Sequence, residues 1–423
     1  MRTTERLAID GGTPVRRDPL PLAKGAGLLG DEERAAVLAV LESKSLFRYY
    51  GPALLGKVDA FEQSLCQSLG VDFAVATSSG TAALRVALAA LGVGCGDEVV
   101  VPAFTFIATV NAVVLAGAVP VFAEIDDTFN IDAAAVRSCL SERTAAVMPV
   151  HLENTPCDMD ALLAVTRAHG VPVIEDAAQA LGASYRGRPL GTIGEIGAFS
   201  LQLEKNITTG EGGAVVTRDE ALHLRSARYQ DQGGQFVTGH GSSRGAALAE
   251  PFIGENLRMT EIAGAIAEVQ LRRLPDMLER MRANNARICA ALGAVPGLTP
   301  RRSPDPAGDG GSSITWFLPS APLAAAFVAG LYAEGIPSVQ MYGGQPVYAN
   351  PAVLAKRTAT NKGGPWHCAE HPSAVDYRMG MCPTTEDLVA RSATIGVGPA
   401  FTVADCDDVV TAVDKVARHL LGG

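Results

Sequence analysis

Lysine is scarce in this chain. Of 35 basic residues only seven are lysine: Lys24, Lys44, Lys57, Lys205, Lys356, Lys362 and Lys415. Aromatic residues make up 5 % of the 423 positions and charged residues 19 %. No Lys/Arg cluster offsets the net charge of -10, which argues against a nucleic-acid binder. Long apolar runs are missing too. The most apolar stretch, Ala112–Ala123, is too short to span a bilayer and contains Pro120, so no membrane association is expected. The opening MRTTERLAID is charged and has no apolar core of a secretory signal. The eight cysteines are scattered without a CxxC pair, and we read them as reduced, buried thiols of a cytoplasmic protein.

What is present is apolar bulk. Hydrophobic residues are 48 % of the chain, enough for a real core, and the length suits two or three domains. Residues 1–60 read as an N-terminal arm, with a helix near Asp31–Leu41 followed by SLFRYYGP. From Asp72 short apolar runs alternate with helical ones: FAVA then TAALRVALAAL, EVVVP then TFIATVNAVVLAG, VPVFAEI then Asp132–Cys139, AAVMPV then MDALLAVTRAHG, and VPVIED. Strands this short and this apolar predict a parallel sheet with helices on both faces. GAFSL and GAVVT follow a turn at Arg186-Gly187. A helical pattern covers Met259–Leu292, with Pro275 expected to break or restart it. The large domain is placed at 61–290. Beyond the Gly/Pro-rich linker after it, a small α/β domain is placed at 291–423, with helices near Pro322–Glu334 and Asp405–Leu421.

Four features fall at expected strand ends, where ligands bind in open α/β sheets. Ser78-Ser79-Gly80-Thr81-Ala82 joins a strand to a helix and suits either a phosphate or an ordinary N-cap. Asp176 closes an apolar strand; it could serve as a metal ligand, a ribose ligand, the partner of a cationic ring nitrogen, or a helix cap. Lys205 is the only lysine of the βα region, either a solvated loop residue or a nucleophile that forms an imine. Gly210-Glu211-Gly212-Gly213 supplies tight turns beside it. Together they suit pyridoxal 5'-phosphate, which needs a lysine, a carboxylate on its ring nitrogen and a phosphate cup.

TSSGTAAL, GDEVVVPAFTFIATVNAVVLAGAVPVF, HLENTPCDMDAL, VIEDAAQALGASYRGRPLGTIGEIGAFSLQLEKNITTGEGGAVVT and GENLRMTEIAGAIAEVQLRRL resemble the DegT–StrS family of sugar and cyclitol aminotransferases. The resemblance is strong over about residues 10–300 and looser beyond. It implies the type I aminotransferase fold: a large, mostly parallel, seven-stranded sheet domain plus a smaller C-terminal α/β domain. It implies that Lys205 binds the cofactor and that Asp176 pairs with the pyridine nitrogen. Phe106 would stack on the ring and Gln179 would lie beside it. Gly80, Thr81 and Ser200 would hold the phosphate. Asn256 would reach the phosphate of a neighbouring subunit, which makes the expected unit a homodimer with shared sites. The amino donor would be Glu or Gln and the acceptor a keto sugar or keto-cyclitol of aminosugar or antibiotic biosynthesis. Glu153-Asn154 departs from the family, which usually has Tyr-Gly or a similar small pair there.

Other readings are weaker. Some family members are sugar dehydratases with a His at the lysine position, so Lys205 argues against that activity. A catalytically silent binding protein on the same fold is opposed by the intact Lys205 and Asp176. Gly241-Ser242-Ser243-Arg244-Gly245 matches a nucleophile elbow but follows no apolar strand. His367, Cys368, His371 and Cys382 could gather a metal, but prolines flank the stretch, so no metal site is expected. Gly191, Gly194 and Gly197 do not form the dinucleotide fingerprint.

Overall fold

A computed structural model describes residues 6–234, 236, 252–360, 364–367, 370 and 375–422. In the large domain, β1 (Phe73–Thr77), β2 (Glu98–Pro102), β3 (Val119–Ala123), β4 (Thr144–Val147) and β5 (Ile174–Asp176) follow the expected runs. A two-residue hairpin comes next, β6 (Ser184–Tyr185) and β7 (Arg188–Pro189). Its turn places Arg186 and Gly187 at φ 51° and 75°, the positive pair that a tight hairpin needs. Then come β8 (Ile196–Ser200) and β9 (Gly213–Thr217).

The strands form one line, β1-β9-β8-β5 joined to β4-β2-β3 through the parallel bridges Val147↔Val173 and Val150↔Asp176. Pairing is parallel throughout except around β9, which runs antiparallel to both β1 and β8. This is the expected seven-stranded, mostly parallel sheet.

Both faces of the sheet are buried, and the side chains show why the strands read as unbroken apolar runs. Val99 and Val101 enter one apolar cluster, with Leu84 and Leu88 of α3 (Gly80–Leu91) and Val110 and Val113 of α4 (Ile107–Leu115). Val100, between them, points the other way. It joins Phe61 of α2 (Lys57–Leu69) and Leu163 of α6 (Met159–Ala168). Alternation along a strand thus serves two cores rather than one core and solvent. α1 (Asp31–Ser43), α5 (Ala133–Cys139) and α7 (Glu220–Gln230) complete the layer set.

α8 (Glu261–Leu292) runs 32 residues without interruption, so the break expected at Pro275 does not occur. The ring lies on the exposed side of the helix, while Leu271, Leu274, Met277 and Leu278 around it are buried in the core. Packing on both sides of the proline holds the axis through the lost backbone bond.

The C-terminal unit is an antiparallel sheet in the order β10 (Thr299–Pro300), β11 (Ser313–Phe317), β13 (Ser392–Gly396), β12 (Ser338–Val339). α9 (Ala321–Ala333) and α12 (Val403–Leu421) cover it, α11 (Pro383–Ala390) lies beside it, and α10 (Pro351–Leu354) packs through Val353 on the core of the large domain. Leu7 and Leu20 join this core. Glu334, fully buried, fixes them there: it accepts from the N–H groups of Ala8 and Val15 and pairs with Lys415 at 2.9 Å. α1 instead rests on α8, where Gln270 donates to Glu33 at 2.9 Å.

The cysteines depart from the expectation. Cys95 is disulfide-bonded, and Cys289 is exposed; Cys157, Cys382 and Cys406 are buried free thiols. Scatter along a chain does not report which thiols meet in space. Among the described residues no helix is long and apolar enough to cross a membrane. The nucleophile-elbow pattern at 241–245 lies outside the described residues, as do Cys368 and His371.

Candidate active site

β1 ends at Thr77, and α3 begins at Gly80 with Ser79 as its N-cap. The Ser79 hydroxyl accepts from the Ala82 N–H at 3.1 Å. The N–H groups of Gly80 and Thr81 are left without a partner among the described residues. Two free donors at the positive end of a helix dipole make an anion seat. Ser200, the last residue of β8, closes it: a Cβ at Gly80 would come within 2.6 Å of the Ser200 Cβ and 2.9 Å of its hydroxyl. Glycine is therefore required for this approach.

Asp176 ends β5 beside that seat and is 4 % exposed. Thr109 donates its hydroxyl to Asp176 Oδ2 at 2.8 Å, and the Ala178 N–H donates to Oδ1 at 3.2 Å. Since the Thr109 proton is committed to the carboxylate, Thr105 must be the donor in its 2.9 Å contact with Thr109. Burial pushes the Asp176 pKa up despite these donors and the nearby Lys205 charge. A cationic partner at the open side of this carboxyl would be strongly held.

Its neighbour Glu175 points to the other side of the strand and has a structural task. Its carboxylate accepts from the N–H groups of Gly191, Ile193 and Gly194 and from His151 Nε2 at 2.9 Å. The Cys157 N–H donates to His151 Nδ1, which places the imidazole proton on Nε2. Burial would raise the Glu175 pKa, but these donors bring it below the ordinary carboxylate value. Gly191 and Gly194 of the three-glycine pattern are thus part of a carboxylate cradle inside the protein.

Lys205 lies in the turn between β8 and β9, its N–H bonded to the Gln202 carbonyl at 3.0 Å. Burial lowers its pKa, with Lys24 acting in the same direction and Glu153 and Asp176 opposing. Lys205, Asp176, Gly80, Thr81, Phe106, Gln179 and Ser200 all line one cavity of about 610 Å³. Phe106, the N-cap of α4, is 53 % exposed and forms one wall. Asn256 does not line this cavity; it is exposed and bridges backbone to backbone with Asp231. The carbonyl of the next residue, Leu257, accepts from the Ser78 N–H at 2.7 Å, so the 254–259 segment backs the anion seat of its own chain.

Several participants escaped the sequence reading. Thr105 and Thr109 flank Phe106, the one just before the N-cap of α4 and the other in its first turn, and their hydroxyls meet at 2.9 Å. Tyr342 arrives from the C-terminal unit, and its hydroxyl accepts from Gln179 Nε2 at 3.2 Å. No local pattern marks it. Its backbone is left-handed at φ 50°, an unfavourable state for a tyrosine, held by packing on Phe104 with ring centroids 5.3 Å apart. Gln179 Oε1 in turn accepts from the Glu153 N–H at 3.1 Å.

Residues 28–414 match the model of the DegT/DnrJ/EryC1/StrS aminotransferase family. The chain is 35 % identical to an L-glutamine:2-deoxy-scyllo-inosose aminotransferase of Streptomyces paromomycinus, over 98 % of each chain. It is 43 % identical to a GDP-perosamine synthase of Caulobacter vibrioides, over 52 % of this chain and 57 % of that one. Among solved structures, S. venezuelae DesV in complex with a ketimine intermediate superposes with a TM-score of 0.76 at 30 % identity, covering 91 % of this chain and 94 % of that one.

Proposed function

The chain belongs to the DegT/DnrJ/EryC1/StrS aminotransferase family, and from that premise we propose that it moves an amino group from glutamine or glutamate to a keto sugar or keto-cyclitol, using pyridoxal phosphate. The observation that supports the cofactor is the convergence of Lys205, Asp176 and the two free N–H groups of α3 on one cavity. The donor set fits. A doubly charged phosphate suits the Gly80–Ser200 seat, where a larger residue than glycine would not fit.

When bound, the cofactor supplies an electron-withdrawing ring that stabilises negative charge on a substrate carbon. The chain's residues do the rest. Asp176, oriented by Thr109 and the Ala178 N–H, holds a proton on the ring nitrogen by staying ionised beside it. Lys205 carries the cofactor and, once displaced by the amino donor, moves a proton at its Nζ. Burial favours the neutral amine that this requires. Gln179, fixed between Glu153 and Tyr342, orients the ring's polar edge, while Phe106 covers one side and limits water. Donor and acceptor use the same cavity in turn, so the kinetics are ping-pong. The active unit is a homodimer in which Asn256 serves the neighbouring subunit, in keeping with its position outside its own chain's cavity.

The test is direct. Purified protein supplied with pyridoxal phosphate should be yellow, should fix the cofactor to the Lys205 peptide on borohydride treatment, and should lose the yellow band on adding glutamine or glutamate. A colourless protein, or label on another lysine, removes the reading.

A further inference from the structure

Glu153 is a carboxylate that the cofactor chemistry above does not use. It lines the inner cavity and also a second cavity of about 510 Å³ that adjoins it through Lys205, Gln179 and Glu204. Its carboxylate makes no hydrogen bond and no ion pair within 4 Å to any described residue, although it is half-buried.

Its backbone, by contrast, is tightly held. Glu153 and Asn154 are consecutive left-handed residues, at φ 53° and 65°. Glu153 donates its N–H to Gln179, and its carbonyl accepts from the Ser312 hydroxyl at 3.0 Å. Asn154 is clamped to Asn206 and Ser312. A strained turn fixed on all sides, ending in an unpaired side chain at a cavity wall, marks recognition rather than packing.

The charge around it defines what is recognised. Glu153, Asp176, Glu204 and Glu211 line the inner cavity against the single cation Lys205; Lys24 appears only in the outer one. Among the described residues no arginine lines either cavity. Adjacent ring hydroxyls need acceptors, and a carboxylate offers two oxygens to them.

We propose that Glu153 is an acceptor-recognition residue, its carboxylate accepting hydrogen bonds from the ring hydroxyls of a polyhydroxy ketone. The proposal rests on the aminotransferase reading above and names the class of its acceptor.

Glu153→Gln keeps the shape and removes the charge, and Glu153→Ala removes both. The holoenzymes are compared by three measurements. In the first, glutamine-dependent loss of the yellow band should slow in both variants by a much smaller factor than the acceptor step does, since Glu153 also acts on the Lys205 charge. In the second, kcat/KM for inosose, a free keto-cyclitol, should fall between about ten- and hundredfold in Glu153→Gln, the range for a lost charged hydrogen bond, and at least as far in Glu153→Ala. In the third, calorimetry with scyllo-inositol, which has the hydroxyls and no reactive group, should show a Kd weakened about tenfold or more in Glu153→Gln.

An unchanged inosose kcat/KM overturns the proposal. So does an equal fall in the donor and acceptor steps, which would make Glu153 a support of Lys205. If the wild type does not react with glutamine or glutamate at all, the aminotransferase reading falls, and this assignment falls with it.

Discussion

Asn206 donates its side-chain amide to Asn154 Oδ1 at 2.6 Å, and Asn154 Nδ2 faces Asn206 Oδ1 at 3.3 Å. Both residues are buried. One follows Lys205 and the other follows Glu153, so this amide pair sets Lys205 and the free carboxylate relative to each other. Asn206 also donates to the Leu181 carbonyl at 2.9 Å.

Replacing Asn206 by Ala leaves the buried Asn154 amide and the Leu181 carbonyl short of partners. A loss of about 1–3 kcal/mol is expected in chemical denaturation. Turnover should fall more than this stability loss accounts for at temperatures where the variant is fully folded, because the Lys205 turn loses its anchor. A variant that is less stable but fully active would show that the pair serves the fold alone.

Asp176 and Lys205 make opposite excursions with one consequence for the cofactor-free protein. Burial holds the Asp176 pKa above its unfolded value, so the folded state binds the extra proton. The stability that this gives is present below pH 3.8 and is lost as pH rises through the folded value. Burial holds the Lys205 pKa below 10.5, so stability rises with pH between the folded value and 10.5. At pH 7 both groups are therefore destabilising. Cofactor-free Asp176→Asn and Lys205→Met should each melt higher than wild type at pH 7. The Asp176 gain should vanish near pH 3.8 and the Lys205 gain near pH 10.5. Lower melting temperatures at pH 7 would contradict the burial of these groups.

Removal of the same groups should be ruinous for chemistry. Lys205→Ala should lose at least about 10³-fold in turnover, with the far-ultraviolet spectrum unchanged. Asp176→Asn should still bind pyridoxal phosphate but slow the donor half-reaction by about 10²–10³-fold, measured in single turnovers. Near-normal rates in Asp176→Asn would remove it from the ring nitrogen.

Asn256 separates two readings by complementation. An inactive Lys205→Ala chain is mixed with a chain carrying an inactivating Asn256 substitution, and heterodimer formation is confirmed by mass. If Asn256 serves the neighbour, one site per heterodimer carries both defects and the other neither. Activity of about half a normal dimer per heterodimer should return, as a two-fold interface requires. Heterodimers as inactive as their parents would place Asn256 in its own chain's site.

Pro275 offers a test remote from the site. Pro275→Ala restores a backbone bond in the middle of α8, where proline is about 3 kcal/mol worse than alanine. The looser unfolded chain returns about 0.4–1 kcal/mol of that. A net gain of about 2–2.6 kcal/mol in stability with unchanged activity is expected. A loss would mean that the core around Leu271 and Leu278 is built to the proline's bend.

Much of the large domain could be read from the chain itself. Its strands are buried on both faces, so each appears as a short apolar run, and the helices between them carry their own caps, as Ser79, Asp158 and Asp219 do. Lys205 and Asp176 stood out because the chemistry that needs them uses rare placements: a lone lysine in a βα region and an acid at a strand end. Other things required the third dimension. The course of α8 through Pro275 depends on packing from both sides, which a rule about local backbone bonds does not contain. The cradle of Glu175 depends on three N–H groups some 16–19 residues away. Tyr342 reaches the site from another sheet, and Thr109 matters only because the start of α4 lies against the end of β5. Glu153 shows the division most plainly. The sequence marked it as an unusual residue after His151 and Leu152. Only the fold gave that acid its place at the cavity wall, by holding two successive residues in left-handed backbone through contacts with Gln179, Asn206 and Ser312, far apart in the chain. Local sequence fixes what the short-range forces of one strand or helix can decide, whereas a strained turn persists only when distant parts of the chain hold it.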